Sequence, residues 1–254
     1  MRKRYCFFDF DGTLRSRTFD RIPDSARRAL DLLRANGHFV ALATGRLQMN
    51  AMKLVQDCGI DSMVADGGNS LTIDGKLQWM YGMPLAPCKR LLHWLDDNGW
   101  PWAVMTENDL VRYTPRADFT DYLPDTYIRT VVVPELRIDD LDLVYKFFIP
   151  CRPGQEREFP FNGVTWARYS DDCIYCEPTD KSFGIKKMME DLHAPLRDVV
   201  VFGDGSNDIS MFRPEWTSVA MGNAIPVLKQ KADLVTTDID DDGIWNACKE
   251  LQLI

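Results

Sequence analysis

Acidic and hydroxyl side chains directly follow three apolar segments of this chain. Asp9 and Asp11 come after the first apolar run, Thr44 after the second and Asp204 after a third, far along the sequence. Continuous apolar runs are typical of buried parallel strands, and ligands bind outside the carboxyl ends of such strands. If the three runs are neighbouring strands, the four side chains meet at one sheet edge. This set of oxygens indicates a site for a hard cation and a phosphate.

Asp9 and Asp11 are two residues apart, so both would face the same side of a continuing strand. Gly12 permits backbone angles that other residues resist, and it can redirect the chain at that point. An Asp-Gly pair is also common in turns, so a surface turn remains an alternative for this segment alone. The strongly apolar strand before it favours the functional interpretation.

Two further segments offer groups for an anion and a cation. A phosphate would be faced by the Thr44 hydroxyl, the backbone N–H groups around Gly45 and the N-terminus of the next helix. The alternative is structural, because a Thr after a strand commonly just begins the next helix. Segment 203–208 supplies the oxygen ligands that Mg²⁺ requires. The alternative is a helix cap, which would use only Asn207 or Asp208.

The order of elements predicts how these groups are positioned. Strands alternate with helices before residue 82 and again after residue 178, which predicts an α/β fold with a parallel sheet built from both ends of the chain. The segment between them predicts a smaller α+β unit inserted into the chain. The predicted strands are 4–9, 38–43, 62–65, 102–105, 127–133, 143–148, 173–176, 199–203, 217–220 and 233–236. The predicted helices are 23–36, 47–58, 87–98, 181–193, a short one after Asn207, 225–231 and one from Gly243.

Bulk composition narrows the class of protein. With 254 residues and a net charge of −8, the chain can bury a sizeable core and lacks the overall basic charge of a nucleic-acid or anionic-membrane binder. No stretch approaches the length of a transmembrane helix, and Asp9 interrupts the first apolar run too early for a secretory signal. Seven scattered cysteines indicate reduced thiols and predict a cytoplasmic protein.

Two metal-like patterns are weak. Cys173 and Cys176 have C-x-x-C spacing, but no second pair follows, no His is near in sequence, and the segment looks like a strand. Segment 238–243 matches the first half of an EF-hand loop, yet Lys249 stands where the bidentate Glu belongs. We interpret 238–243 as an acidic turn that caps the last helix.

Several motifs, taken in order, resemble the haloacid dehalogenase superfamily of phosphotransferases, and more narrowly its Cof-type sugar-phosphatase branch. The resemblance covers residues 1–82 and 178–254 and implies a Rossmann-like parallel sheet core with catalytic function. Residues 83–177 fall where that branch carries an α+β cap domain, which selects the substrate. The motifs are Phe8–Leu14, Thr44–Arg46, Lys181 with Gly184–Ile185, Gly203–Asp208, and Ala220–Ala224 with Asp242–Gly243.

The resemblance also implies roles for individual residues. Asp9 would attack phosphorus to form an aspartyl-phosphate, and Asp11 would act as general acid and then as base, which requires a pKa above that of Asp9. Thr44 and Lys181 would hold the phosphoryl oxygens, and Arg46 would bind phosphate or brace its loop. The implied phosphate-binding residues are Thr44, Gly45, Lys181 and Asn207. The implied Mg²⁺ ligands are Asp9, the backbone carbonyl of Asp11, Asp204 and Asp208. Asn207 and Asp208 would either bind the cation directly or support its ligands.

The expected function is Mg²⁺-dependent hydrolysis of a small phosphorylated metabolite, in particular a sugar phosphate. A sugar phosphomutase of the same fold is an alternative, as is a non-catalytic module that uses the acidic cluster to bind Ca²⁺. The presence of Lys181 beside the acidic residues counts against the latter, because a structural cation site needs no lysine.

Overall fold

The computed structural model describes residues 2–254, and the side chains of all of them except Asp57. The chain divides into two compact units, one formed by the segments up to Trp79 and from Asp180, the other by Met80–Thr179. The sequence predicts these boundaries at 82/83 and 177/178, and the catalytic and cap functions of the two parts remain predictions.

The first unit contains one mixed sheet with helices packed against it. The strands are β1 (Tyr5–Phe8), β2 (Phe39–Ala43), β3 (Met63–Ala65), β4 (Ser70–Ile73), β5 (Lys76–Met80), β12 (Val199–Gly203), β13 (Thr217–Ala220) and β14 (Leu234–Val235); the helices are α1 (Asp24–Ala35), α2 (Gln48–Val55), α5 (Lys181–Asp191), α6 (Pro226–Lys231) and α7 (Gly243–Glu250). The strands lie in the order β14-β13-β12-β1-β2-β3-β4-β5.

The central strand β1 lies between β12 and β2 and pairs with both in parallel. Phe8, at its end, is opposite Phe202 of β12 and Leu42 of β2, so the three carboxyl ends are level. All three of these side chains are fully buried, as a parallel sheet covered on both faces requires. The predicted α/β fold is confirmed, and the three apolar runs are neighbouring strands.

Helix α1 shows why the periodicity of the sequence was informative. Ala26, Ala29, Leu30 and Leu33 recur at helical spacing and form its buried face. The chain leaves the helix through Gly37, whose positive φ of 81° suits a residue without Cβ. The segments 4–9, 38–43 and 199–203 similarly match observed strands to within a residue or two.

The prediction omitted the hairpin formed by β4 and β5. Strand β4 pairs antiparallel with β3 and is followed by Asp74 and Gly75, both with positive φ, before β5. Asp-Gly between two strand-like runs is a hairpin signal, but the run Lys76–Met80 is short and has no buried residue. The predicted helix 47–58 also ends earlier, with α2 at Val55 followed by a 3₁₀ turn.

The second unit has its own sheet and its own apolar core. The elements are α3 (Leu85–Asp97), β6 (Ala103–Met105), β7 (Val111–Thr114), α4 (Phe119–Tyr122), β8 (Arg129–Val132), β9 (Lys146–Pro150), β10 (Trp166–Ser170) and β11 (Cys173–Cys176). The strand order is β10-β11-β9-β6-β7-β8, antiparallel throughout apart from the parallel pair β7 and β8. The prediction omitted β7, β10 and the short helix α4.

The seven cysteines lie in the interior of the protein as free thiols. All seven are buried, and none of them forms a disulfide. Cys173 and Cys176 both lie in β11, and burial raises the pKa of each thiol, which keeps them protonated and unreactive. Among residues 2–254, no helix is long and apolar enough to cross a membrane.

Candidate active site

Asp9 and Lys181 form the centre of a buried charged cluster in the first unit. Asp9 follows β1, and its backbone N–H donates to the Phe202 carbonyl oxygen at 3.0 Å, which extends the ladder with β12 by one bond. The Lys181 Nζ donates to Asp9 Oδ1 at 2.6 Å, and the lysine side chain is almost completely buried. Such a short, charge-assisted bond fixes the orientation of the Asp9 carboxylate.

Asp208 holds Lys181 from the other side. Its Oδ1 accepts from Lys181 Nζ at 2.6 Å, while its Oδ2 accepts from the backbone N–H groups of Asp204 and Gly205, both at 2.9 Å. Asp208 is fully buried, and these three donors contact both of its oxygens. The arrangement favours a supporting role for Asp208, which orients the lysine and the chain that carries Asp204.

Asp204 follows β12, next to the loop that follows β1. The Thr13 hydroxyl donates to Asp204 Oδ1 at 2.9 Å, and both residues are buried. Gly12, with a φ of 97°, lies so close that a Cβ there would be 2.8 Å from the same oxygen. Only glycine therefore fits at position 12, for backbone and steric reasons together.

The cluster carries more negative than positive charge. Asp9, Asp204 and Asp208 each offer a carboxylate oxygen within 4.8 Å of the others, and Lys181 is the buried cation among them. Burial, followed by the charge of Asp208, raises the pKa of Asp9, and the same two causes raise the pKa of Asp204 to about 6. Although burial lowers it, the pKa of Lys181 is raised by Asp208 and Asp9, so the lysine remains charged.

This set of donors fits a hard divalent cation. The oxygen atoms come from carboxylates, which Mg²⁺ prefers. Burial raises the pKa of Asp9 and of Asp204, and a bound cation would favour the ionised form of both groups. Among the residues that the structure describes, no other group of His, Cys, Asp or Glu is arranged for a metal in this way. The acidic segment 238–243 is a turn in which the Asp238 side chain accepts from the Asp240 N–H.

Asp11 lies in a different environment from Asp9. Arg46 donates to both of its oxygens, from Nε at 2.7 Å and from Nη2 at 2.9 Å, and Arg15 contributes a bond of 3.2 Å. Burial raises the pKa of Asp11, but the hydrogen bonds and charge of Arg46, followed by those of Arg15, outweigh it and lower that pKa. The expectation that the pKa of Asp11 exceeds that of Asp9 is wrong for this structure, because the like charges surround Asp9 and the guanidinium groups surround Asp11.

Arg17 connects the loop after β1 with the segment that follows β12. Its Nη2 donates to the Asp11 carbonyl oxygen at 2.6 Å and lies 3.3 Å from Asp204 Oδ2. Those two oxygens are among the predicted Mg²⁺ ligands. A positively charged group thus already contacts the position that the sequence assigns to the cation.

The predicted phosphate-binding residues are placed as follows. Thr44, buried at the end of β2, accepts a hydrogen bond at its Oγ1 from the Arg46 N–H at 3.1 Å, and Gly45 lies between these two residues. Thr44 is also linked to the next strand, since its N–H donates to the Val64 carbonyl oxygen at 2.9 Å. Asn207 is half-buried in the 3₁₀ turn Ser206–Met211 that follows Asp204.

Lys181 is the first residue of α5, and the close packing of this helix against β3 positions its side chain. Asp180 caps the helix by accepting from the Phe183 N–H at 3.3 Å. Gly184 faces β3, where a Cβ would meet the Val64 side chain and would lie 2.8 Å from the Gly68 carbonyl oxygen. Gly68 in turn lies against the Asp180 carbonyl, so two glycines allow the helix start to approach the sheet edge.

Asn223 holds the loop after β1 from the carboxyl-terminal part of the unit. Its Nδ2 donates to the Gly12 carbonyl oxygen at 2.7 Å, while its Oδ1 accepts from the Ile239 N–H at 3.1 Å. A Cβ on neighbouring Gly222 would lie 2.9 Å from the Asp238 Cα. The segment Ala220–Ala224, for which the sequence predicts no role, therefore supports the loop after β1.

Three residues without a predicted role contact Asp11 or Asp204, namely Thr13, Arg15 and Arg17. Thr13 lies within the motif Phe8–Leu14, so its position is a usable signal. The two arginines gave none, because an arginine in a polar loop is usually solvated. Arg46, for which the resemblance implies either phosphate binding or bracing of its loop, is a bidentate partner of Asp11.

Known proteins resemble this chain in sequence and in fold. A family profile described as haloacid dehalogenase-like hydrolase matches residues 6–248. YkrA of Bacillus subtilis, a candidate phosphatase by name, is 33% identical over 262 residues, covering 100% of both chains. The HMP-PP phosphatase of Yersinia enterocolitica is 26% identical over 90% of this chain and 87% of its own.

A solved structure of a subclass IIB sugar phosphatase is also similar. It aligns with a TM-score of 0.81 and 28% sequence identity, covering 99% of this chain and 100% of its own. The similarity therefore spans both compact units of the chain.

Proposed function

This chain belongs to the family of haloacid dehalogenase-like hydrolases, and from that premise we propose that it hydrolyses small phosphorylated metabolites, in particular sugar phosphates, with Mg²⁺. The activity class is phosphoric monoester hydrolysis, because the matched family consists of hydrolases and its named relatives are phosphatases. The observation that carries the proposal is the buried contact of Lys181 Nζ with both Asp9 Oδ1 and Asp208 Oδ1, each at 2.6 Å.

In the proposed mechanism an Asp9 oxygen attacks phosphorus while the bond from phosphorus to the leaving oxygen breaks. Asp11 gives its proton to that oxygen, so the products are the free alcohol and an aspartyl-phosphate. Water then attacks phosphorus, Asp11 takes up its proton, and phosphate and the Asp9 carboxylate are released. Covalent catalysis divides one difficult displacement into two easier ones.

The phosphoryl group is held by donors close to Asp9. Lys181 has three N–H donors, and two of them are used by Asp9 and Asp208, which leaves one for a phosphoryl oxygen. The Thr44 hydroxyl, the Gly45 backbone and Asn207 complete the proposed phosphate site. Fixed donors of this kind stabilise the charge that develops during transfer.

We assign the Mg²⁺ ligands to Asp9, the carbonyl oxygen of Asp11 and Asp204, with Asp208 as a supporting group. The cation would offset the repulsion between the anionic nucleophile and the phosphate dianion. The buried carboxylates with raised pKa values support this assignment, since each is stabilised in its ionised form by an added positive charge.

Residues 83–177 are proposed as the cap that selects the leaving group. Their similarity to the subclass IIB sugar phosphatase, which extends over 99% of the chain, favours sugar phosphates as the first class to test. The fold itself does not determine the substrate, because specificity lies in side chains that differ among members of a fold.

The first experiment is hydrolysis of an aryl phosphate with Mg²⁺ and with EDTA, followed by a panel of sugar phosphates. We expect phosphate release that requires the metal. Dependence on a catalytic amount of a sugar bisphosphate, with the phosphoryl group passed to a second sugar position, would assign the enzyme to the phosphomutases instead.

The nucleophile is tested with Asp9→Asn. We expect phosphate release to fall at least about a thousandfold, because the amide cannot form the acyl phosphate. The fold should be retained, since burial and neighbouring carboxylates already oppose the ionised form of Asp9. Asp74→Asn, at an exposed turn of the same unit, is the matched control and should keep full activity. Full activity of Asp9→Asn would refute the mechanism.

A further inference from the structure

Arg17 lies in the loop that leads from the acidic motif to α1. The base of this loop is closed by two backbone bonds, from the Gly12 N–H to the Arg15 carbonyl oxygen at 2.8 Å and from the Ser16 N–H to the Arg21 carbonyl oxygen at 2.9 Å. The Ser16 hydroxyl accepts from the next turn, which keeps the loop ordered. The Arg17 backbone is therefore fixed while its side chain extends back to the cluster.

The guanidinium of Arg17 contacts one backbone and one side-chain oxygen. Nη2 lies 2.6 Å from the Asp11 carbonyl oxygen and 3.3 Å from Asp204 Oδ2. Asp204 is buried, whereas the Arg17 side chain is 68% exposed. The contact is thus between a partly solvated cation and a buried acceptor that has excess negative charge around it.

A guanidinium and a divalent cation cannot both occupy the space next to the same two oxygens. The charge balance explains why a cation is favoured there. Lys181 pairs with Asp9 and Asp208, whereas the carboxyl group of Asp204 has its ion pair with Arg17. The exposed arginine can withdraw by rotating its own side chain, without movement of the loop backbone. Lys181, which is buried, has no such freedom.

We infer that Arg17 is an internal competitor of the metal: its guanidinium binds the oxygens of Asp11 and Asp204 in the metal-free protein and must leave when Mg²⁺ binds. The inference rests on the proposed metal site. Arg17 therefore weakens the affinity for Mg²⁺ and stabilises the protein without it.

Metal binding by the full chain, without substrate, tests this inference through calorimetric titration with Mg²⁺. We expect Arg17→Ala to bind Mg²⁺ about threefold to tenfold more tightly than wild type, the range of an ion pair between an exposed and a buried group. Arg17→Lys, which keeps the charge without the planar fork, should lie between them. The melting temperature of metal-free Arg17→Ala should fall.

Arg21→Ala is the matched control, because it removes the same charge from the same loop at an exposed position. A comparable gain in affinity for Arg17→Ala and Arg21→Ala would reduce the effect to net charge and overturn the inference. Unchanged or weaker binding by Arg17→Ala would overturn it as well.

Asp204→Asn separates failure of the inference from failure of the metal site. Suppose that wild type binds Mg²⁺, that Asp204→Asn does not, and that the affinity of Arg17→Ala is unchanged. This result would leave the proposed metal site intact and refute only the competition by Arg17. Absence of Mg²⁺ binding in wild type and in Arg17→Ala would refute both.

Discussion

Two aspartates only two positions apart have opposite electrostatic environments. Asp9 lies among carboxylates, and burial with the charge of Asp208 raises its pKa. Asp11 lies between guanidinium groups, which lower its pKa in spite of burial. Two causes set the direction of the difference. The Asp9 side chain is only 6% exposed, against 35% for Asp11, and the charged neighbours are carboxylates at Asp9 but guanidinium groups at Asp11.

This difference affects how Asp11 performs its proposed functions. The ionised form favoured by Arg46 suits the step in which Asp11 takes a proton from water. The earlier step requires a protonated Asp11, and a bound phosphate dianion favours that form because it attracts Arg46 and repels the carboxylate. We therefore expect Arg46 to position Asp11 and to tune its proton affinity.

Substitution of Arg46 tests this interpretation. In Arg46→Met the pKa of Asp11 should rise, because the first two stabilising contacts of its carboxylate are removed while burial remains. The limb of the pH–rate profile that reports Asp11 should move to higher pH, and kcat/KM should fall on the order of tenfold to a hundredfold. Carboxyl NMR with Asp11→Asn as the assignment standard measures the pKa directly.

Arg46→Lys serves as the control for charge, since it keeps the cation but loses the bidentate geometry. It should raise the pKa of Asp11 less than Arg46→Met does. An unchanged Asp11 pKa in Arg46→Met would show that Arg46 does not tune this residue.

Helix α5 is the element on which the geometry of Lys181 depends. The first residue of the helix carries the lysine, and Gly184, one turn later, lies against Val64 of β3 and the Gly68 carbonyl oxygen. The helix contacts β3 and the turn Asp66–Gly68 closely. A change in the distance between helix and sheet at Gly184 therefore moves Lys181 relative to Asp9.

Gly184→Ala tests this dependence. Alanine improves helix propensity by about 1 kcal/mol, but the overlap of its Cβ with Val64 and the Gly68 carbonyl costs about 1–3 kcal/mol. Because one of the colliding atoms is backbone, we expect the overlap to win and the free energy of unfolding to decrease by about 1–2 kcal/mol. The rate should fall further than the change in stability explains, since Lys181 is displaced.

Urea unfolding and steady-state kinetics measure the two effects. Glu190→Ala, exposed on the same helix, should change neither by much. A Gly184→Ala protein that is more stable than wild type and fully active would contradict the proposed packing constraint.

The parallel strands of the first unit were predictable because their apolar runs are long and end in recognisable polar motifs. Segments 199–203 and 217–220 match the observed β12 and β13 residue for residue. The family resemblance and the fold class inferred from these runs are confirmed. Which strands are neighbours followed from placing the polar motifs at one sheet edge.

Elements without a strong apolar pattern could not be predicted in the same way. Strand β10 (Trp166–Ser170) is mostly exposed at the sheet edge, and α4 (Phe119–Tyr122) is shorter than the repeat needed to show a helical period. The pairing of Asp11 with Arg46 is also beyond sequence reasoning, because it depends on side-chain directions across two loops. The sequence predicts the acidic residues and the lysine that the structure brings together, but not their electrostatic differences.

The whole molecule is acidic, and its buried acidic cluster adds to this imbalance. A raised pKa of a buried carboxyl means that the folded protein binds a proton more tightly than the unfolded chain does. For Asp204 this contribution to stability is complete below the unfolded value near 3.8 and is lost as the pH rises through about 6. Above that pH the folded, metal-free protein must carry a buried charge.

Mg²⁺ should therefore stabilise the protein more at pH 7.5 than at pH 5. At the lower pH, protons compete with the metal for Asp204, whereas at the higher pH the carboxylate is ionised and the cation offsets its charge. We expect saturating Mg²⁺ to raise the melting temperature by on the order of several degrees at pH 7.5 and by clearly less at pH 5. Thermal unfolding with Mg²⁺ or EDTA at both values measures this difference.

Asp204→Asn isolates the contribution of the cluster from the titration of the remaining acidic residues. This variant cannot ionise at position 204, so its increment from Mg²⁺ should be small and nearly equal at the two pH values. Thr13 can still donate to the amide oxygen, which preserves the local hydrogen bond. If wild type and Asp204→Asn gain the same increment at both pH values, the stabilising cation binds elsewhere and the assignment of Asp204 as a ligand is wrong.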